Sequence, residues 1–211
     1  MKRRVGILIS GRGSNMVALA DAARDPAYPA EIAVVISNDL TAAGLALAEA
    51  RGIATRAIPH RHFGRDRAAH EAAIDAALAA EEVEVVCLAG YMRLLTPFLV
   101  GRYAGRMLNI HPSLLPAFPG LETHARALAA GVKFHGCTVH LVTEAMDEGP
   151  ILAQAAVPVR PGDDEAALAE RVLAEEHVLY AAALARFLTG DAGRATTAAL
   201  HNPLPDTLPA P

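Results

Sequence analysis

The sequence predicts an α/β protein with a doubly wound, mostly parallel β-sheet that is Rossmann-like in its N-terminal half. Short β-branched runs alternate with longer Ala- and Leu-rich segments of helical periodicity through the first 89 residues. The short runs are almost wholly apolar, as expected for parallel strands that are buried on both faces. A glycine-rich turn follows the first run directly, where such folds pass from the first strand into the first helix.

The N-terminal half contains four predicted strands separated by helices. Apolar runs predict strands at residues 5–9, 32–36, 55–58 and 83–89. Helical periodicity predicts helices between them at residues 15–24, 41–51 and 65–82. Parallel strands need long crossover connections, and these are almost always right-handed. The alternation therefore predicts a sheet with helices on both faces.

The C-terminal half adds three strands and two helices. A helix at residues 97–103 precedes a strand at 107–110, and two further strands are predicted at 137–142 and 151–159. The last helix is expected to begin at a cap formed by Asp163 or Asp164, to run to Leu188 and to end at Gly190. Residues 1–190 are thus expected to form a single domain, followed by a loose Pro-rich tail at 191–211.

Composition and charge exclude several classes of protein. The chain has 19 basic and 23 acidic residues, and no basic block lies beyond the first four residues, so a nucleic-acid-binding surface is not expected. The hydrophobic fraction is 53%, but 46 of the residues are Ala. No stretch approaches the roughly 20 apolar residues of a membrane span, and the first apolar run is too short for a signal peptide. We therefore expect a cytoplasmic protein.

Cysteine and histidine patterns do not indicate a metal site. Cys87 and Cys137 are distant in sequence and lie within apolar runs, which favours buried reduced thiols over a disulfide or a metal site. His60, His62 and His70 lie in or beside one loop, but no carboxylate or thiol completes a ligand set there. No metal is expected.

The turn after the first strand allows two interpretations. Gly13, Ser14 and Asn15 open the first helix, where free backbone N–H groups and the helix dipole favour a phosphate. Met16 stands where a dinucleotide fingerprint has its third glycine, and the Lys of a P-loop is absent. From these residues alone, a phosphate site and a tight turn with a capped helix both remain open.

Asn109 and His111 are the most informative polar pair. Their i, i+2 spacing points both side chains to the same side at the carboxyl end of a strand, where open α/β folds bind ligands. An amide and a protonated imidazole can stabilise an oxyanion, and an acid such as Asp147 would orient the imidazole. An ordinary loop histidine is the structural alternative. Ser113 is expected to stabilise a turn, because no nucleophile elbow surrounds it.

Several motifs resemble those of the folate-dependent formyltransferases. They are LNIHPSLLP at residues 108–116, FPG at 118–120 and DEGPI at 147–151. Two more, ISGRGSN at residues 9–15 and LAGYMR at 88–93, narrow the resemblance to the phosphoribosylglycinamide formyltransferases of purine synthesis. The resemblance covers residues 5 to about 189 and keeps the order and spacing of the motifs.

The resemblance implies the formyltransferase fold and a formyl transfer from 10-formyltetrahydrofolate to the amine of glycinamide ribonucleotide. It implies a catalytic trio of Asn109, His111 and Asp147, with no metal. It implies a phosphate-binding half at residues 1–100 and a catalytic, folate-binding half at 101–190. Both substrates are small molecules, so a monomer or homodimer without a nucleic-acid or membrane partner is expected.

The resemblance also assigns the two substrate sites. The ribonucleotide phosphate is assigned to Gly13, Ser14 and Asn15, and its glycinamide part to Glu176. Without the resemblance, Glu176 would be interpreted as part of a solvated acidic face. The folate site is assigned to Arg67, Met92, Arg93, Leu94, Leu95, Asn109, Thr143, Glu144, Ala145, Met146 and Asp147.

The chain departs from the family pattern at two positions. An extra residue near Phe63 leaves Arg65 and Arg67 as alternatives for the folate-contacting arginine, and the spacing to Met92 favours Arg67. Glu122 stands where some relatives carry His. No binding role is therefore assigned to Glu122.

Three alternative functions share some of these motifs. Formyltetrahydrofolate hydrolases carry an extra N-terminal regulatory domain, and methionyl-tRNA formyltransferases an extra C-terminal domain. We expect neither in a chain of 211 residues with a net charge of −4. A catalytically silent nucleotide-binding module would keep the glycine-rich loop but would not need the catalytic trio.

Overall fold

The computed structural model describes residues 2–190, so the predicted tail at 191–211 lies outside the described residues. The strands are β1 (Arg3–Ile9), β2 (Ala30–Ser37), β3 (Ala54–Ala57), β4 (Val85–Leu88), β5 (Met107–His111), β6 (Phe134–Leu141) and β7 (Ile151–Pro158). The α-helices are α1 (Ser14–Ala23), α2 (Ala43–Glu49), α3 (Arg67–Ala80), α4 (Pro97–Arg102), α5 (Thr123–Ala130) and α6 (Glu165–Thr189). A single 3-10 turn, His60–Phe63, precedes α3.

The seven strands form one sheet in the order β3-β2-β1-β4-β5-β6-β7. The first five strands pair in parallel, whereas β6 is antiparallel to both β5 and β7. The predicted mostly parallel α/β sheet is confirmed. Strand order reverses between β1 and β4, so the ends of these two central strands flank the crevice in which open α/β sheets bind ligands.

Helices cover both faces of the sheet, and consecutive strand residues serve opposite faces. Ile7 of β1 belongs to the core beneath α1 and α6, whereas its neighbour Leu8 packs with residues of α3 and α4. Strands that are buried on both faces need apolar residues at every position. This explains why the predicted strands appear as continuous apolar runs.

Side-chain caps define the ends of two helices. The carboxylate of Asp164 accepts a hydrogen bond from the Ala167 N–H at 2.8 Å, and α6 ends at Gly190 in the left-handed region. Asp66 caps α3 in the same way, so this helix begins two residues later than the predicted residue 65. Both caps satisfy N–H groups of a first helical turn.

Helix α5 lies in a segment where we predicted no regular structure. It has eight residues and follows Glu122, which lies in the left-handed region with φ 55° and provides no side-chain cap. A short helix without a capping residue leaves no start signal in the sequence. The observed helix therefore adds an element to those predicted.

Cys87 and Cys137 are free and buried, as predicted. Burial raises the pKa of the Cys87 thiol to about 12 and that of Cys137 further still. Within residues 2–190, no helix combines the length and apolarity that a membrane crossing requires.

Candidate active site

A row of aligned residues crosses the sheet near the carboxyl ends of its central parallel strands. Leu8 of β1 pairs with Leu88 of β4, Leu88 pairs with Asn109 of β5, and Asn109 pairs with His140 of the antiparallel strand β6. The loops that follow β1, β4 and β5 consequently leave the sheet at the same edge. On this edge we define the phosphate loop as residues 11–15 and the folate loop as residues 90–96, each named for the ligand that the family resemblance predicts for it.

Asn109 makes a direct contact with the histidine opposite it. Its side-chain amide Nδ2 lies 3.1 Å from Nε2 of His140. Nδ1 of His140 lies 3.0 Å from the carbonyl of Leu141, so Nδ1 carries the proton and Nε2 accepts from Asn109. Burial lowers the pKa of His140, which favours this neutral form. One N–H and the carbonyl oxygen of the Asn109 amide remain for other partners.

Asp147, in the loop after β6, connects His140 with His111 and with the segment that follows β5. Its carboxylate oxygens lie 3.6 Å from Nδ1 of His111 and 3.8 Å from Nε2 of His140. It also accepts a hydrogen bond from the Gly120 N–H at 2.8 Å. Asp147 has φ 58°, a left-handed conformation that few residues other than glycine adopt.

His111 lies between two hydrogen-bond acceptors. Its Nε2 lies 3.0 Å from the carbonyl of Phe118, which can only accept a hydrogen bond, and its Nδ1 faces the Asp147 carboxylate. These two contacts orient the imidazole ring of His111.

The phosphate loop is built on a close glycine contact. Gly13 has φ 76°, and a Cβ added to it would lie 2.8 Å from the Cα of Gly44 in α2. The Gly44 N–H donates to the carbonyl of Gly11 at 3.0 Å. Neither glycine can take a side chain without moving the loop. Helix α2 therefore holds the residues that precede α1 in position.

Asn15 joins the phosphate loop to the last helix. Its Nδ2 donates to the Glu176 carboxylate at 2.7 Å, and both side chains are buried. Burial raises the pKa of Glu176, while the hydrogen bond from Asn15 opposes this shift. Oδ1 of Asn15 is buried and has no hydrogen-bond partner among residues 2–190. Glu176 is thus not part of a solvated acidic face.

The folate loop exposes apolar side chains, and a side chain of α3 holds its backbone in place. Met92 and Leu94 are 71% and 62% exposed. The guanidinium of Arg67 in α3 donates to the carbonyl of Leu94. The nearby loop after β6 also exposes Met146 at 54%. Ligand sites typically combine apolar side chains of this kind with a few polar groups.

Comparison with known proteins identifies the family. A family model described as formyl transferase matches residues 3–184. The chain belongs to the formyl transferase family.

Relatives of known name are consistent with this family. The chain is 49% identical over 189 residues to the trifunctional purine biosynthetic protein adenosine-3 of Homo sapiens. The matched region is 90% of this chain but only 19% of that protein. It is 43% identical to the phosphoribosylglycinamide formyltransferase of Escherichia coli (strain K12), covering 87% of this chain and 86% of the relative. The crystal structure of phosphoribosylglycinamide formyltransferase from Brucella melitensis shares 56% identity and a TM-score of 0.85, covering 94% and 100% of the two chains.

Direct contacts connect several residues predicted for the site of this formyl transferase. Asp147 lies beside His111, Asn15 binds Glu176, and Arg67 binds Leu94. The Thr143 hydroxyl donates to the carbonyl of Ala145, within the loop after β6. These contacts describe the geometry, and the substrate-binding roles stay predictions.

Ser113 and Glu122, to which no substrate-binding role was assigned, also lie in this half of the chain. The Ser113 hydroxyl donates to the carbonyl of Ala117 at 2.6 Å, which fits the predicted turn-stabilising role. Glu122 is exposed at the start of α5. Within residues 2–190, no three His, Cys, Asp or Glu side chains are grouped so that they could hold a metal ion.

His140 is the residue of this formyl transferase site that sequence reasoning missed. No chemistry was predicted for His140, which lies 31 positions from Asn109. The signal that could have found it is its alternation with Val139, because Val139 belongs to the core under α6 and His140 therefore points to the opposite face. The register with β5 was not accessible from the sequence.

Proposed function

We propose that the chain is a phosphoribosylglycinamide formyltransferase. It would transfer the formyl group of 10-formyltetrahydrofolate to the amine of glycinamide ribonucleotide, giving formylglycinamide ribonucleotide and tetrahydrofolate in de novo purine (IMP) synthesis. The observation that carries the proposal is the convergence of Asn109, His111 and Asp147 at one edge of the sheet. The names and identities of the relatives support it.

The ribonucleotide phosphate would bind to Gly13, Ser14 and Asn15. The first turn of a helix offers unpaired N–H groups and the positive end of the dipole, so an anion can bind locally to a protein of net charge −4. Glu176 would bind the glycinamide part. The unpartnered Oδ1 of Asn15 is a buried acceptor that a hydroxyl or amide N–H of this substrate would satisfy.

The formyl donor would bind between the folate loop and the loop after β6. Exposed Met92, Leu94 and Met146 offer apolar contact to the folate, and backbone groups offer hydrogen bonds. Arg67 would help to hold this site through Leu94. We include Arg93, Leu95, Thr143, Glu144 and Ala145 as further folate contacts.

The residues divide the chemistry between them. The amine of the ribonucleotide attacks the formyl carbon, and a tetrahedral oxyanion develops on the formyl oxygen. The free N–H of Asn109 and an N–H of His111 stabilise this charge. His111 must first exchange its Phe118 carbonyl for the oxyanion, a change compatible with the looser contacts of ligand-free sites.

Asp147 has two tasks in this scheme. Its carboxylate stabilises the imidazolium of His111 while negative charge develops nearby. It also lies where it can help to move the proton from the attacking amine to the leaving folate nitrogen. The steps involve acid–base and electrostatic chemistry by Asn109, His111 and Asp147.

We also propose that the predicted halves act as a single domain. The bond between Asn15 and Glu176 connects the phosphate-binding half to the last helix of the catalytic half. The protein would act in the cytoplasm on two small anionic substrates, as a monomer or homodimer.

The test is an assay for tetrahydrofolate release from the formyl donor, with and without glycinamide ribonucleotide. Release that requires the ribonucleotide, with one formylglycinamide ribonucleotide formed per tetrahydrofolate, is the expected result. Release that does not depend on the ribonucleotide would instead indicate hydrolysis of the donor. Absence of any release would indicate a binding module.

A further inference from the structure

We propose that Ser10 is a positioning residue for the formyl donor, because its hydroxyl holds the folate loop in place. This inference rests on the proposed function. Ser10 precedes the residues that are predicted to bind the phosphate. In the proposal it contacts neither substrate. Its role would be to fix the Met92 backbone on which donor binding depends.

The Ser10 hydroxyl connects two loops and a neighbouring strand. Its Oγ accepts a hydrogen bond from the Met92 N–H at 2.8 Å and donates one to Oδ1 of Asn38 at 2.5 Å. The Ser10 backbone N–H donates to the carbonyl of Gly90 at 3.2 Å. One residue at the end of β1 thus bonds to the folate loop through both its backbone and its side chain.

Asn38 keeps the Ser10 hydroxyl in a single orientation. It follows β2, is 6% exposed, and its Nδ2 lies 3.1 Å from Nδ1 of His60. Because Asn38 Oδ1 accepts the hydroxyl proton, a lone pair of Ser10 Oγ is directed to the Met92 N–H. Because Asn38 is buried and is itself bonded to His60, it keeps the Ser10 hydroxyl in this orientation.

Side chains of α3 hold the rest of the folate loop in place. Glu71 of α3 is buried and accepts bonds from Thr96, one from the N–H at 2.7 Å and one from the hydroxyl at 2.5 Å. Arg67 binds the carbonyl of Leu94 in the middle. Glu71 and Arg67 both belong to α3, whereas Ser10 ties the loop to the central sheet.

The Met92 side chain cannot hold this part of the loop, because it is 71% exposed. Without the Ser10 hydroxyl, the Met92 N–H would lose its acceptor and the loop could move relative to the sheet. The backbone bond from Ser10 to Gly90 would remain, and so would the glycine contacts of the phosphate loop. Donor binding should therefore weaken more than ribonucleotide binding.

The experiment compares Ser10→Ala with Ser10→Thr, which keeps a hydroxyl, and with Thr55→Ala. Thr55 is a matched control because its hydroxyl donates to Glu49 at the exposed edge of the sheet. The affinity for tetrahydrofolate is measured by calorimetry, independently of turnover, and KM is measured for each substrate. Losing one such hydrogen bond should weaken tetrahydrofolate binding and raise the donor KM by about 3- to 10-fold.

Ser10→Thr and Thr55→Ala should stay near wild type in tetrahydrofolate affinity, and the ribonucleotide KM should hold in all three variants. Unchanged tetrahydrofolate affinity in Ser10→Ala would overturn the inference and leave the proposed function intact. An equal loss of affinity for both substrates, with a lower melting temperature, would also overturn it by indicating general destabilisation. Wild-type protein that does not bind tetrahydrofolate would overturn both proposals.

Discussion

The side-chain amide of Asn109 donates to Nε2 of His140, 3.1 Å away, from the position directly opposite in the β5–β6 ladder. His140 can accept this bond only while its Nε2 is unprotonated. The contact fixes which end of the Asn109 amide faces the sheet and which groups remain for a ligand. An amide that is oriented before the substrate binds needs no rearrangement during the reaction.

Replacing His140 tests this orientation. His140→Ala should lower kcat by about 10- to 100-fold, because a misplaced Asn109 N–H would stabilise the oxyanion poorly. His140→Gln can still present an acceptor and should recover part of the loss. In a double-mutant cycle, the effects of His140→Ala and Asn109→Ala should be far from additive. Additive losses in kcat would show that the two residues act separately.

Replacing Asp147 by Asn isolates the charge of the carboxylate. Asn tolerates the left-handed φ of 58° and can still accept the Gly120 N–H, so the loop should keep its conformation. Loss of the negative charge should lower kcat by about 100- to 10,000-fold, as for other acid–base groups. Steady-state kinetics and thermal unfolding check this. Turnover near the wild-type value in a folded protein would exclude Asp147 from the chemistry.

The glycine contact beneath the phosphate loop gives a third prediction. In Gly44→Ala the new Cβ would lie 3.1 Å from the carbonyl oxygen of Gly11 and 2.5 Å from a methyl group of Ile9. Overpacking of this kind costs about 1–3 kcal/mol of folding free energy. We expect a higher ribonucleotide KM and a nearly unchanged donor KM.

Gly101→Ala is the matched control for this substitution. Gly101 lies within α4, where an added Cβ meets nothing within 4 Å. Ala at this position should leave both KM values unchanged and stabilise the helix by about 0.5–1 kcal/mol. If Gly44→Ala behaved like Gly101→Ala in kinetics and unfolding, the phosphate loop would not depend on α2.

Buried histidines predict a loss of stability in mild acid. Burial lowers the pKa of His70, His124, His140 and His177, and lowers that of His135 to about 4. As pH falls below 6.5, the unfolded chain binds protons that the folded protein does not, so the free energy of unfolding decreases. His135, whose pKa is lowered the furthest of the five, should contribute most to this decrease.

Thermal unfolding between pH 7.5 and pH 4 measures this effect. His135→Gln should flatten the dependence, whereas His62→Gln, at an exposed position, should leave it unchanged. Asp163 responds in a lower range, since hydrogen bonds from Arg171 and from the Arg160 backbone hold its pKa at about 2. A melting temperature that stayed constant down to pH 4 would contradict the prediction.

Local sequence signals predicted most of the fold. Asp163 or Asp164 was predicted to cap α6, with its end at Gly190, and the i, i+2 spacing placed Asn109 and His111 on the same side of β5. These features depend on neighbouring residues and on simple periodicity. Family resemblance was needed for Glu176, because its burial depends on contact with α1 rather than on its own helix.

Contacts between distant segments were not predictable in this way. The pairing of Asn109 with His140 depends on the register of β6, and the bond between Ser10 and Met92 depends on β1 lying beside β4. Helix α5 escaped detection because no capping residue marks its start. Long-range register and uncapped short helices leave little trace in local sequence.

The antiparallel pairing of β6 with β5 has a consequence for how activity is acquired during folding. A slip of β6 by one residue would place Val139 opposite Asn109 and turn His140 to the other face of the sheet. The first five strands can thus assemble completely without creating a competent site. Recovery of turnover during refolding would therefore report the correct docking of the β6–β7 hairpin.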